Sequence, residues 1–268
     1  MAGRLADRRA VITGGAAGIG RAIAAAFLAE GASVIIADVD GAAAERCAAQ
    51  LASVETMAGT MAGTISAFAC DVTSASDTEA LAAEAVRRLG SVNVLVNNAG
   101  LSGRGLITEI DEALIDRLLA VNLKGVILCA KAFVEALRSA GDAVMINMSS
   151  QAGKRGWPEL AVYGATKAGV LGMNRALAVE LAPDIRVNAI CPGYISEVGM
   201  AWRGWQARAG HEGGDAGSIG ADFAAQHIPL QRLQSAHDIA LAAVFLASGE
   251  AREITGAALN VGGGVAMD

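Results

Sequence analysis

The chain has 268 residues, 53% of them hydrophobic, with 21 basic against 27 acidic side chains and a formal net charge of −6. That size and apolar content suit a folded domain with a substantial core rather than a disordered chain. The basic residues form no stripe that would mark a nucleic-acid surface, and charges interrupt every apolar run well short of the roughly 18–20 residues a membrane span needs, so neither nucleic acid nor membrane is an expected partner.

The N-terminal MAGRLADRRAVITGG reaches a glycine turn after three apolar positions, too few for a signal peptide, and a cytoplasmic location is expected. RAVITG predicts the first strand and Arg21–Glu30 a helix. ASVIIAD with Gly41–Ala52, FACDV with Asp77–Leu89, and VNVLVNNAG with a helical stretch near Asp111–Leu137 repeat that alternation. AVMINMSS, a helix from about Ala161 to Leu181, IRVNAICPG and a last strand at Ala258–Val261 complete it. Short, continuously apolar strands separated by crossover-length helices predict a doubly wound α/β fold with a parallel sheet of order 3-2-1-4-5-6-7. No linker divides residues 1–268, so one domain is expected. Thr56–Thr64 reads as a loop, as does Met200–Gly220, which carries six glycines and no steady apolar period and is long enough to be a functional lid. Cys47, Cys70, Cys129 and Cys191 have neither CxxC nor His-paired spacing, which predicts buried free thiols and no metal site.

Between the first strand and the first helix lies TGGAAGIG, Thr13 to Gly20. Gly14, Gly18 and Gly20 allow a tight turn, let the backbone approach a pyrophosphate, and place that anion at the positive end of the helix. A plain strand-helix turn would use the same residues, and the spacing is GxxxGxG rather than GxGxxG. Asp38 tips the balance: it ends the second strand, twenty positions after Gly18, where its carboxylate can accept from both ribose hydroxyls of an adenosine. It would repel a 2′-phosphate, and Ala17 offers no compensating charge, so NAD is favoured over NADP.

Tyr163 and Lys167 in VYGATKAG share a helix face at a spacing of four. A phenol titrates near ~10, and a neighbouring ammonium favours its phenolate, which would make Tyr163 a proton acceptor. Ser150 ends AVMINMSS thirteen positions earlier, at the carboxyl edge of the sheet, where its hydroxyl can bond the substrate oxygen. Ser149 points the other way and reads as structural.

TGGAAGIG, Asp38, CDV with Asp71, NNAG at 97–100, VNLKG with Asn122, MSSQAG with Ser150, YGATK and CPG at 191–193 together resemble the short-chain dehydrogenase/reductase family, in order and over essentially the whole chain. The resemblance implies a Rossmann-like single-domain enzyme, usually a homotetramer, that interconverts secondary alcohols and ketones with a nicotinamide cofactor. It implies a catalytic tetrad of Asn122, Ser150, Tyr163 and Lys167, with Asn122 kinking a helix and holding a water. In that scheme Ser150 steadies the alcohol oxygen, Tyr163 removes its proton, and Lys167 lowers the Tyr163 pKa and holds the nicotinamide ribose while a hydride passes to NAD⁺. Ala17 and Ile19 join the glycines around the phosphates; Asp71 reaches the adenine with Val72 beside it. Asn98, Ala99 and Gly100 line the cofactor channel, Pro192 and Gly193 flank the nicotinamide, and Ile195 meets its amide through the backbone.

Two departures stand out. Glu197 replaces the threonine the family usually carries four positions after Gly193, so either Ser196 substitutes or Glu197 serves a polyhydroxylated substrate. Gly262-Gly263-Gly264 stands where many relatives read DGG. MSSQAGKRG and CPGYISE resemble the polyol and sugar-alcohol branch. The favoured reading is an NAD-dependent dehydrogenase of a polyol, sugar alcohol or cyclic alcohol. The alternatives are a biosynthetic ketone reductase resembling 3-oxoacyl-thioester reductases, or a non-catalytic dinucleotide-binding regulator. A substrate lid is expected over 194–226, with Trp202 and Trp205 as apolar cover and Glu197 and His211 as polar contacts. The uncharged C-terminal GAALNVGGGVAM suits burial against another subunit, in keeping with a homotetramer.

Overall fold

The sheet is built from seven runs rich in valine, isoleucine and alanine: β1 (Arg9–Thr13), β2 (Ser33–Asp38), β3 (Ile65–Ala69), β4 (Val94–Asn97), β5 (Ala143–Met148), β6 (Ile185–Pro192) and β7 (Ala258–Val261). The computed structural model describes residues 3–58, 63–196 and 199–267. All neighbouring strands pair parallel, in the order β3-β2-β1-β4-β5-β6-β7, as the alternation of elements predicts. The unbroken apolar runs follow from burial on both faces. Ile12, Ile36, Val94, Val96 and Ile146 enter one core, and their chain neighbours Val11, Ile35, Leu95 and Met145 enter the other.

The described residues form nine α-helices: α1 (Gly18–Ala29), α2 (Gly41–Ala58), α3 (Ala75–Leu89), α4 (Glu112–Leu119), α5 (Gly125–Ala140), α6 (Ala161–Glu180), α7 (Gly199–Glu212), α8 (Ala216–His227) and α9 (Ala236–Ala247). The cap of α3 is local chemistry: the Ser74 hydroxyl accepts the Asp77 N–H, and Gly90 at φ 78° ends the helix. The four cysteines are buried, and among the described residues none forms a disulfide. Among the described residues no helix is long and apolar enough to cross a membrane.

Besides a third strand that is Ile65–Ala69 rather than FACDV, the structure departs from the sequence expectations in four places. The loop expected at Thr56–Thr64 begins later, because α2 runs on to Ala58; residues 59–62 lie outside the described residues. The helix expected near Asp111–Leu137 is two helices joined by a π-turn at Ala120–Lys124. Met200–Gly220 is helical in α7 and α8 rather than a loop. Asp215 caps α8 by accepting the Ser218 N–H, and a Cβ on Gly220 would come within 3.0 Å of the Trp205 ring, so that glycine lets the two helices close on each other. The fourth is α9, which the strand-led reading passed over. Its capping box of Ser235 and Asp238 and its buried Ile239, Ala243 and Val244 hold it against the sheet beside α1.

Every segment that leaves the carboxyl ends of β1, β2, β4, β5 and β6 opens on one edge of the sheet, and the expected site residues lie there.

Candidate active site

After β1 the backbone must turn sharply without side chains. Gly14 and Gly18 have φ of 62° and 55°, a conformation that glycine adopts freely. A Cβ on Gly20 would stand 2.2 Å from the Gly14 carbonyl oxygen, and one on Gly14 would stand 2.8 Å from the Ala99 Cα. Ala17 caps α1 with no side-chain hydrogen bond, and the first turn holds no acid. Among the described residues no side chain caps the leading N–H groups of α1, and Ile19 is half-buried behind them. Asp38 closes the turn from β2: its Oδ2 accepts the Ala16 N–H at 3.2 Å and its Oδ1 the Asp40 N–H at 3.2 Å. A cleared backbone cradle, a free helix N-terminus and a carboxylate beside them fit a dinucleotide.

The cradle is tied to β4 by two residues with different histories. Thr13, which sequence reasoning did not single out, accepts the N–H groups of Asn98 and Ala99 through Oγ1, each at 3.1 Å. Asn98 was expected on the cofactor channel; its amide donates to the carbonyls of Thr13 at 3.0 Å and Gly14 at 2.9 Å and so shapes the turn. Asp71 is exposed, with Oδ1 accepting the N–H and hydroxyl of Thr73. Val72 is buried beside Gly125, where a Cβ would come within 2.8 Å of it.

Asn122 sits on the π-turn, fully buried. Its Oδ1 accepts the Leu101 N–H at 2.7 Å, and its Nδ2 donates to the Leu101 carbonyl at 2.9 Å and to Thr166 Oγ1 at 3.4 Å. Thr166 in turn donates to the Tyr163 carbonyl at 2.7 Å, so one amide joins the loop after β4 to the catalytic face of α6. Gly100 lies between the two halves: a Cβ there would be 3.3 Å from Asn122 Oδ1 and 3.5 Å from Lys167 Nζ. The wide turn is a recurrent device for re-aiming a side chain at a site.

Ser149 is buried and donates to the Lys167 carbonyl at 2.9 Å, a structural bond as its strand position suggested. Ser150 caps a short 3₁₀ turn, accepting the Ala152 N–H at 3.1 Å, and its hydroxyl lies beside the Tyr163 phenol. Lys167 Nζ is buried, donates to the Met148 carbonyl at 3.0 Å and stands 5.9 Å from the centre of the Tyr163 ring. The electrostatics differ from the sequence expectation. Burial pushes the Tyr163 phenol up, with Ser150 acting in the opposite direction, and burial pulls Lys167 down to about 8. Desolvation is the leading cause for both groups, and Nζ is held on the Met148 carbonyl.

Pro192 ends β6, and Gly193 passes against Gly262, whose Cα would lie 2.7 Å from a Cβ on Gly193. Ile195 forms a parallel bridge with Gln234 that uses the Ser196 N–H and the Tyr194 carbonyl, leaving the N–H and C=O of Ile195 facing away from Gln234. Glu197 lies outside the described residues. His211 is exposed, whereas Trp202 and Trp205 join an aromatic cluster with Trp157, Tyr194 and Phe223. Thr166, Gln234 and Trp157 were missed by sequence reasoning. Thr13, which abuts the glycines, carried a local signal.

Residues 8–208 match the family described as short chain dehydrogenase. The chain is 38% identical to 2-(S)-hydroxypropyl-CoM dehydrogenase 3 of Xanthobacter autotrophicus, covering 99% of each chain. It is 38% identical to sorbitol dehydrogenase of Cereibacter sphaeroides, covering 97% of this chain and 98% of the relative. A solved 7α-hydroxysteroid dehydrogenase, complexed with NADH and 7-oxo glycochenodeoxycholic acid, superposes with a TM-score of 0.82 at 31% identity, covering 97% of this chain and 95% of that one. The chain belongs to the short-chain dehydrogenase/reductase family and is an oxidoreductase.

Proposed function

We propose that this enzyme is an NAD-dependent dehydrogenase of secondary alcohols, with Asn122, Ser150, Tyr163 and Lys167 as its working set. The observation that carries the cofactor reading is the Asp38 carboxylate fixed on the Ala16 N–H at the rim of the glycine cradle, with Ala17 beside it in place of a cation. That arrangement suits ribose hydroxyls and opposes a 2′-phosphate. Gly14, Gly18, Gly20 and the N-terminus of α1 would hold the phosphates; Asp71 and Val72 would flank the adenine. Gly100, Pro192, Gly193 and the backbone of Ile195 would surround the nicotinamide, with Ala99 beneath. When bound, the nicotinamide supplies the hydride acceptor.

The chain's own residues handle the proton and the oxygen. Ser150 holds the alcohol oxygen, and Tyr163 takes its proton. Lys167, anchored on Met148, supports the phenolate and reaches the ribose. Asn122 positions Leu101 and, through Thr166, α6. Sorbitol dehydrogenase among the relatives supports a polyol or sugar alcohol as substrate. A cytoplasmic homotetramer accompanies this reading. Leu119, Ile127 and Val179 are exposed apolar side chains on α4, α5 and α6, and Leu259 and Met267 are exposed near the C-terminus, whereas Val265 and Ala266 are buried within the chain itself.

The test is reduced-nicotinamide absorbance over an alcohol panel with NAD and NADP in parallel, repeated for Asp38→Ser. NAD preference in the natural enzyme, lost or reversed in the variant, is the expected result. Tighter use of NADP by the natural enzyme refutes the role given to Asp38.

A further inference from the structure

The three segments that frame the substrate side of the site each carry an arginine: Arg104 after β4, Arg155 after β5 and Arg203 on α7 after β6. Each segment leaves a residue already placed at the site, Gly100, Ser150 and Gly193. Among the described residues only Arg104 of the three has an acidic partner, Glu159 at 2.8 Å. Arg155 lies 4.8 Å over the Trp157 ring and donates from Nη1 to the Val265 carbonyl at 3.1 Å. Arg203 donates from Nη2 to the Ser102 hydroxyl. Among the described residues neither Arg155 nor Arg203 pairs with a carboxylate, in a chain whose net charge is −6.

These two cations are anchored on neutral partners. Trp157 meets Tyr194 edge to face at 5.8 Å, and Tyr194, which follows Gly193 in the chain, continues into an apolar wall with Trp205 and Phe223. Both Arg104 and Arg155 act electrostatically on the Tyr194 phenol, so the positive potential reaches that wall. A guanidinium has five N–H donors, and one hydrogen bond to a carbonyl or hydroxyl leaves most of its fork open for an anion. Arg155 and Arg203 are both exposed, as an entry point requires.

We infer that the substrate is a secondary alcohol bearing an anionic group, carboxylate or sulfonate, which Arg155 and Arg203 hold at the mouth against the Trp157–Tyr194 wall while the carbinol end reaches Ser150 and Tyr163. This rests on the dehydrogenase reading and puts an anionic alcohol in place of its neutral polyol. An alcohol with an apolar spacer between hydroxyl and anion matches an apolar wall with a cationic rim. A neutral polyol leaves both arginines without a counter-ion.

The experiment compares chains of graded length: each hydroxy carboxylate with its hydroxyl on the penultimate carbon, against the neutral 2-alkanol of the same carbon number, with sorbitol as the neutral polyol. The expected result is a kcat/KM for the best carboxylate at least about tenfold above its neutral partner, the scale of one charge-assisted fork of hydrogen bonds. Arg155→Met and Arg203→Met should raise KM for the carboxylate with little change in kcat, shrinking the ratio of carboxylate to neutral kcat/KM. Arg203→Lys should retain part of it, and high salt should reduce it in the wild type. Equal or better use of neutral alcohols or sorbitol overturns the anionic substrate and leaves the dehydrogenase reading standing. Preference for carboxylates that survives both methionine variants overturns the role of the arginines. Failure to oxidise any of these alcohols, with either cofactor, removes the reading on which the inference rests and the inference with it.

Discussion

Removing the Asn122 amide tests the link between the two halves of the site. Asn122→Ala leaves the N–H and C=O of Leu101 without the bonds that now measure 2.7 and 2.9 Å, in a place with no solvent access to the side chain. Two such bonds contribute about 1–1.5 kcal/mol each, and with the small void left behind the loss comes to about 3 kcal/mol. For a domain of this size 1 kcal/mol moves Tm by about 2–4 °C, so a fall of about 6–12 °C is expected. Asn122→Asp separates the donor from the acceptor. The introduced carboxyl can still accept from the Leu101 N–H, but its second oxygen faces the Leu101 carbonyl. Burial and that carbonyl raise its folded pKa above the unfolded value of ~3.9, because only the protonated form can donate to Leu101. In the window between those two values the folded state binds more protons, so stability falls as pH rises through it. Thermal unfolding by far-UV circular dichroism at mildly acid and mildly alkaline pH should show Asn122→Asp near wild type in acid and well below it in base, with Asn122→Ala low in both. A Tm loss under about 2 °C for Asn122→Ala, or identical pH behaviour of the two variants, would refute the argument.

Three further outcomes are expected. Gly20→Ala drives a methyl to 2.2 Å from the Gly14 carbonyl, and the strain of about 1–3 kcal/mol should weaken NADH binding, read by fluorescence, by about tenfold or more; unchanged affinity would show that the turn adapts without cost. Alcohol oxidation should rise with pH above neutrality, since burial holds Tyr163 as the neutral phenol beyond its ordinary range, while Tyr163→Phe should lose about 100-fold or more in kcat and still bind NADH; a flat profile or an active variant contradicts the proton-acceptor role. Lys167, pulled down to about 8, has an unfolded pKa of ~10.4, so between these values the unfolded state binds more protons and wild-type stability rises with pH. The stability of Lys167→Met relative to wild type should therefore decline as pH rises through that window, and equal differences at both ends would rule out a depressed Lys167.

What the sequence made legible shares one property: the cause is local. A strand buried on both faces must be apolar at every position, so Val11 and Ile12 announce a parallel strand although they enter opposite cores. A turn with φ above zero selects glycine at Gly14 and Gly18, and a spacing of four places Tyr163 and Lys167 on one face of α6. The capping box of α9 was equally local and could have been read from Ser235 and Asp238 ahead of an apolar run. The π-turn is of another kind, because the bonds of Asn122 to Leu101 and Thr166 join segments far apart in the chain. The same holds for α7 and α8, whose glycine-rich sequence argues for a loop until Trp205 packs against Gly220 and Phe223.

The balance of the Tyr163–Lys167 pair belongs with these non-local features, and it changes what the motif alone means. Spacing says that ammonium and phenol are neighbours, which by itself lowers the phenol's pKa. Burial by the sheet edge and the segments after β4 and β5 acts on both groups, in the direction that neutralises each. In this geometry the phenolate is the disfavoured form, and Nζ is spent on the Met148 carbonyl. A proton-accepting Tyr163 is therefore favoured by positive potential added to that of Lys167. The oxidised nicotinamide, which the proposed function puts beside Lys167, carries such a charge. If it supplies the difference, the apparent pKa in the pH profile of kcat/KM measured with the NAD complex should lie below the phenol pKa titrated spectroscopically in the free protein. Equal values would mean that the free site already sets the Tyr163 pKa, and the burial argument would fail.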